Sequence, residues 1–229
     1  MNEFRQYDGY TQTRGLAAHM IKVYAWMFLG LMVSAVSAII AVSTPLGYLV
    51  YNPISLIILV LAEVGMVWFL SARVINMNYS TAAGVFVTYS AINGLTLSLI
   101  FYMYTLGSIF YVFFITALFF GAMSVYGAVT KQDLTSIGSF LAMGLIGVLL
   151  ASIVNIFLAS STLYWIISYA GVAVFLGLTA YDVQKIKRYY GTLAGTPREN
   201  NVAILGALQL YLDFINLFLF ILRILGRRR

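Results

Sequence analysis

The chain has no cysteine, one histidine and three prolines, and only 9% of its 229 residues are charged. Without cysteine there are no disulfides, thiolate nucleophiles, iron–sulfur clusters or cysteine-ligated zinc. The shortage of charge excludes more. An ordinary soluble domain carries roughly 25% charged and 45–50% apolar residues, whereas 62% of this chain is hydrophobic, and no water-soluble fold of this size hides that much apolar surface. No HExxH, GxSxG or P-loop pattern occurs, so zinc, serine and nucleotide chemistry each lack parts. Neither an enzymatic activity nor a resident cofactor is expected.

What is there is a series of long apolar segments, at about residues 23–42, 54–72, 81–103, 108–128, 139–158, 163–183 and 204–224. Each is long enough for a helix to cross a hydrocarbon core about 30 Å thick at ~1.5 Å per residue. The breaks carry helix-stopping chemistry: Thr44-Pro45-Leu46-Gly47, Asn52-Pro53, Met77-Asn78-Tyr79-Ser80, Thr105-Leu106-Gly107-Ser108, Lys131-Gln132-Asp133, and Gly191 to Asn201 with Pro197. The spacing predicts an all-α polytopic membrane protein of seven spans. Its parts are a polar amino-terminal segment (1–22), a membrane domain (23–226) and a basic tail (227–229). The lipid bilayer is its first partner. Aromatic residues, 16% of the chain, suit lipid contact and interfacial belts.

The net charge of +6 could suggest nucleic acid, but the basic residues stand in loops and tails beside the spans, so no nucleic-acid partner is expected. Arg5, Arg14, Lys22, Arg73, Lys131, Lys185, Lys187, Arg188 and Arg198 all fall on one side under seven spans. The positive-inside rule makes that side, and the amino terminus, cytosolic. Arg223, Arg227, Arg228 and Arg229 are the exception. Either seven spans carry a basic tail outward, or the last apolar stretch is re-entrant; seven spans is the preferred reading.

Three acids lie inside the apolar segments: Glu63 near the middle of the second, Asp213 near the middle of the seventh and Asp182 near the inner end of the sixth. A charge at the centre of a spanning helix costs ~2.5–3.5 kcal/mol on the mildest scale, so such residues face a bundle interior and mark ion or proton routes. Placed from residues 54 and 204, Glu63 and Asp213 approach the midplane from opposite faces. Asp182 lies one or two turns nearer the cytosol, and reaching Asp213 requires the seventh span to begin deeper or tilt. Arg73 and Arg223 each follow a buried acid by ten residues, which suits interfacial snorkelling. A paired-aspartate protease on Asp182 and Asp213 is the remaining enzymatic alternative, but the loop glycine that opens such a site is missing.

Taken together, LAEVGM (61–66), TKQDLTSIGSFLAMGLIGVLLASIVNIFL (130–158), AYDVQKIK (180–187) and LYLDFINLFLFILRILG (210–226) resemble the Bax inhibitor-1 family, also called the transmembrane Bax inhibitor motif family. The resemblance implies a last helix that is central and wrapped by the other six, and a pH-sensitive calcium leak. In eukaryotes it also implies suppression of cell death. The family's aspartate dyad falls on Asp182 and Asp213, its second-span acid on Glu63 and its arginine beyond the second aspartate on Arg223. Its dyad-holding arginine falls on Arg73 with a displacement of one residue. The implied setting is a bacterial cytoplasmic membrane, or an endomembrane in a eukaryote.

Two or three carboxylates cannot fill the six to eight oxygen ligands of Ca²⁺ without water and carbonyls, so Glu63 and Asp213 suit weak transit of the ion. A dyad in a low-dielectric bundle shares one proton and titrates as a unit, a pH sensor built without histidine. Losing that proton replaces a hydrogen bond with repulsion, which movement of the last span could read out. The alternatives are a proton-coupled cation exchanger, with the same acids carrying H⁺ and metal in turn, and a non-transporting regulator of a membrane protease or a cell-death partner.

Overall fold

A computed structural model describes the backbone of residues 2–229 and the side chains from Arg14 onward; Met1 and the side chains before Arg14, that of Arg5 included, lie outside the described residues. Asn2–Ser43 form α1, Tyr48–Tyr51 α2, Pro53–Arg73 α3, Tyr79–Leu97 α4, Leu99–Met103 α5, Leu106–Val129 α6, Thr135–Leu158 α7, Ser161–Leu193 α8 and Glu199–Leu225 α9. Among the described residues, seven stretches are long and apolar enough to cross a membrane: α1 from Arg14, α3 with the turn after it, α4 with α5, and α6 to α9 singly. The last runs unbroken for 27 residues, about 40 Å at ~1.5 Å per residue, so it needs no re-entrant turn.

Local sequence explains the ends. The Asn52 carboxamide accepts from the amides of Ile54 (2.9 Å) and Ser55 (3.4 Å) and caps α3, with Pro53 in the first turn where its missing N–H costs nothing. Asp133 accepts from the Thr135 amide at 2.9 Å and starts α7. Ser98 interrupts the third span; its hydroxyl turns back to the Leu95 carbonyl at 2.6 Å, dividing what hydropathy reads as one helix. Hydropathy also mistakes two ends. The sixth span, α8, runs ten residues past 183, because Gln184, Lys185, Lys187 and Arg188 are good helix formers and keep Val183 and Ile186 buried on one face. The seventh starts at 199 rather than 204, on polar residues that are helical but not apolar.

Burial is inverted relative to a soluble protein. Ile54, Ile58, Leu61, Trp68, Phe114, Leu118, Phe140 and Phe157 are exposed, and only a bilayer covers such a surface favourably. The exception is α9, where 78% of the apolar stretch is buried against 39% at most in any other span.

The contacts divide the chain into two compact units, residues 1–99 with 185–211 and residues 100–184 with 212–229. In the first, α1 and α4 touch through small residues: a Cβ on Gly94 would lie 2.4 Å from the Ser34 carbonyl oxygen, and one on Gly30 2.7 Å from the Phe86 ring. Asn201 donates to the carbonyls of Val74 (2.7 Å) and Met77 (2.6 Å), fixing the start of α9 on the turn after α3. In the second, a Cβ on Gly127 would meet the Ala180 carbonyl oxygen at 2.2 Å, and one on Gly138 the Tyr181 ring at 2.4 Å, so α6 and α7 both approach α8 closely. Phe214 packs edge-on against Phe113 (5.3 Å) and Phe120 (5.4 Å), and Phe220 stacks on Phe175 at 5.8 Å.

Candidate functional site

Glu63 lies on α3 among lipid-facing neighbours, yet its own side chain turns inward. Its Oε1 accepts from the Thr96 hydroxyl at 2.8 Å and its Oε2 from the Asn93 amide at 3.1 Å. Asn93 Oδ1 accepts from the Tyr211 hydroxyl at 2.8 Å, and that hydroxyl lies 2.6 Å from the Ser34 hydroxyl. The Ser90 carbonyl, 2.7 Å from the Ser34 hydroxyl, is the alternative acceptor for its single proton. The carboxylate is thus the head of a hydrogen-bonded chain through α3, α4, α9 and α1 within the first unit. Tyr211 and Ser34 are buried, with the Tyr211 ring held edge-on between Phe86 (5.9 Å) and Tyr89 (5.7 Å). Such a chain satisfies an otherwise costly mid-span carboxyl and offers successive groups along which a proton can be handed.

Asp182 and Asp213 both belong to the second unit. Asp213 is 4% exposed and Asp182 half-buried. Phe220 lies against Gly171 and Phe175, the midpoint being residue 173, and α8 and α9 are consecutive helices joined by the short turn at 194–198. Counting antiparallel from that contact brings Asp182 level with residue 211, about 3 Å from Asp213 along the axis at ~1.5 Å per residue. The ten residues by which α8 runs past 183 carry Asp182 inward and outweigh the five by which α9 begins before 204.

Arg223 follows Asp213 by ten residues, about 15 Å along α9. It is half-buried, packs over the Phe220 ring at 5.1 Å, and lines a cavity with Tyr104, Asn155, Tyr164 and Arg228. Arg73 is the last residue of α3 and exposed, well placed for the helix carbonyl end. No group of three or more His, Asp or Glu side chains converges among the described residues.

Sequence alone does not single out Asn93, Thr96, Tyr211 or Ser34. Asn93 and Thr96 carry a readable signal, two polar residues one helical turn apart in an apolar span; Ser34 and Tyr211 carry none beyond being polar. His19, the single histidine, is buried on α1 against the Tyr190 ring at 4.8 Å.

The sequence matches the family described as inhibitor of apoptosis-promoting Bax1 over residues 16–229. It is 46% identical to the inner membrane protein YbhL of Escherichia coli strain K12, over the full length of both chains. An uncharacterized protein of Borreliella burgdorferi is also 46% identical, over 92% of each chain. One of Rickettsia prowazekii is 43% identical over 96% of this chain and 93% of its own.

Proposed function

The chain belongs to the Bax inhibitor-1 family, and from that premise we propose that it is a pH-sensitive Ca²⁺-leak pathway of the bacterial inner membrane, without an enzymatic step or resident cofactor. The observation that supports this most is the burial of Asp213, 4% exposed on the most buried span; counted along the helices, Asp182 comes within about 3 Å of its height. Two carboxyls so placed share one proton; when it leaves, a hydrogen bond becomes a repulsion between two packed helices. The cargo meets carboxylate oxygens singly, with carbonyls and water completing a weak shell, which suits passage rather than storage. We assign Glu63 and Arg223 to the ion path as well, Arg223 about 15 Å from Asp213 toward the tail end of α9. Arg73 is the candidate for holding the dyad.

The test is Ca²⁺ flux into liposomes holding only the purified protein, across pH 5 to 8, for Asp182→Asn, Asp213→Asn, the double variant and Arg73→Gln. Either single Asn variant flattens the pH profile, and the double resembles the more severe single, because the pair titrates as one unit. Arg73→Gln shifts the midpoint. A single-variant profile parallel to wild type sinks the dyad, and additive losses leave two acids without a common proton.

The chain of hydrogen bonds from Glu63 to Ser34 favours one alternative, a proton-coupled cation exchanger, because it offers a proton route apart from the dyad. Proton counter-flux in fixed ratio to Ca²⁺ distinguishes it from a leak.

A further inference from the structure

In the second unit, the end where α7 stops, α8 begins and α9 finishes holds two adjoining cavities of about 430 and 580 Å³, and Asn155, Tyr164, Arg223 and Arg228 line both. Two guanidinium groups therefore border one hollow. No Asp or Glu occurs between Glu63 and Asp133, between Asp133 and Asp182, or after Asp213, so no acidic side chain arises from the segments that build it. Arg223 makes no hydrogen bond or ion pair among the described residues; its one polar or aromatic contact is the Phe220 ring at 5.1 Å.

Arg228 is held in place before any ligand arrives. Its backbone lies in a short antiparallel pairing with Tyr104, the Thr105 amide donating to the Arg227 carbonyl at 3.0 Å and the Arg229 amide to the Met103 carbonyl at 3.1 Å. The Arg227 amide donates to the Ser108 hydroxyl at 3.0 Å. The guanidinium donates to the Tyr164 hydroxyl at 3.0 Å and lies over that ring at 5.7 Å. A guanidinium has five N–H donors, so these phenol contacts orient it while leaving donors over. The hollow also borders the first turn of α8 at Ser160 and Ser161, where the dipole is positive; the Ser160 hydroxyl caps the Leu163 amide at 3.3 Å, and the amides before it have no intrahelical partner. Beside the cations the wall is apolar, with Ile156, Ile167 and Leu219, and Ile156 continues onto the lipid-facing surface.

We propose that this hollow is a binding site for a phosphate-bearing anion, held between Arg223 and Arg228 at the start of α8. Planar two-donor cations without a carboxylate, fixed by phenols and next to a helix start, are the chemistry that recognises phosphate oxygens. The phosphate can come from the headgroup of an anionic phospholipid or from a soluble phosphate, and the apolar wall favours the lipid.

The test reads binding rather than flux, so it stands apart from the role of Arg223 in the ion path. Purified full-length protein in neutral detergent is titrated with short-chain phosphatidylglycerol, with phosphatidylcholine and with inorganic phosphate, following thermal midpoint and retained lipid by native mass spectrometry. The expected result is a rise in midpoint with phosphatidylglycerol, at affinity at least fivefold above phosphatidylcholine, falling tenfold or more in Arg223→Gln/Arg228→Gln. If inorganic phosphate binds and is lost in the same double variant while the two lipids do not differ, the site stands and its ligand is soluble. The Arg223→Lys/Arg228→Lys variant keeps the charge but not the fork; it binds at intermediate strength and, eluting as wild type does, separates loss of ligand from loss of fold. Anion binding undiminished in the double Gln variant, or no binding of either anion by wild type, overturns the proposal.

Discussion

Removing one oxygen atom at Tyr211 tests whether the buried chain in the first unit acts as a connected whole. Tyr211→Phe keeps the ring between Phe86 and Tyr89 and deletes only the hydroxyl, which bonds Asn93 Oδ1 at 2.8 Å and Ser34 at 2.6 Å. Ser34 keeps its carbonyl acceptors on Gly30 and Ser90, so the orphan left behind is Asn93 Oδ1, on a residue 8% exposed. Hydrogen bonds in membrane proteins average about 0.6 kcal/mol and rarely exceed ~1.7, while an abandoned buried acceptor costs about 1–3 kcal/mol. Two bonds lost and one acceptor stranded give a destabilisation of about 2–4 kcal/mol. The measurement is reversible unfolding in mixed micelles, made as a double-mutant cycle with Asn93→Ala. A connected chain yields a coupling of about 1 kcal/mol or more, because deleting the hydroxyl costs little once its partner is gone. A loss under ~0.5 kcal/mol in the single variant, or strict additivity in the cycle, would refute the reasoning.

Gly127→Ala, whose Cβ would lie 2.2 Å from a backbone oxygen of α8, should cost about 1–3 kcal/mol and lower folded yield, whereas Gly65→Ala, with nothing within 4 Å of its Cβ, should be neutral or slightly stabilising. Equal behaviour of the two in a thermal scan would remove close helix approach as the reason for Gly127. Reporter fusions inserted in the turn at 194–198 and after residue 229 should read opposite sides of the membrane, the first cytosolic, since α9 is unbroken across 27 residues. A shared side would return the re-entrant alternative.

Span count and the identity of the mid-membrane acids are legible in sequence because both are composition effects: lipid demands apolar runs of a fixed length, and an acid within such a run stands out. Helix ends are less legible. Hydropathy marks where a helix meets water and not where it stops, so the polar extension beyond Val183 and the early start at Glu199 escape it, and with them the depth of Asp182 relative to Asp213. Partners are least legible. Nothing in the sequence says that Glu63 turns toward Asn93 and Thr96, because three residues of separation on one helix say nothing about which neighbouring helix will face them. Nor can hydropathy foresee that a basic tail pairs with residues 103–105 and places Arg228 beside Arg223.

Glu63 allows charge and hydrogen bonding to be separated, because the chain it heads can run in either direction. The donors are Thr96 and Asn93 toward Glu63, then Tyr211 toward Asn93, and with the single phenol proton used there Ser34 donates to Tyr211. Glu63→Gln leaves an oxygen for Thr96 and turns the other terminus into a donor. Rotation of the Asn93 amide then presents its oxygen to the new carboxamide and its NH₂ to Tyr211, whose hydroxyl donates onward to Ser34. Every group stays paired, so stability should change by under about 1 kcal/mol, against about 2–4 kcal/mol for Glu63→Leu, which strands Asn93 and Thr96. Flux should respond differently: if the carboxylate serves the cation, both variants lose it equally despite their unequal stability. Unfolding free energies and liposomal Ca²⁺ flux measured on the same preparations decide the matter. If Glu63→Gln retains wild-type flux while Glu63→Leu loses it, Glu63 serves packing through its hydrogen bonds, and its charge has no part in the path.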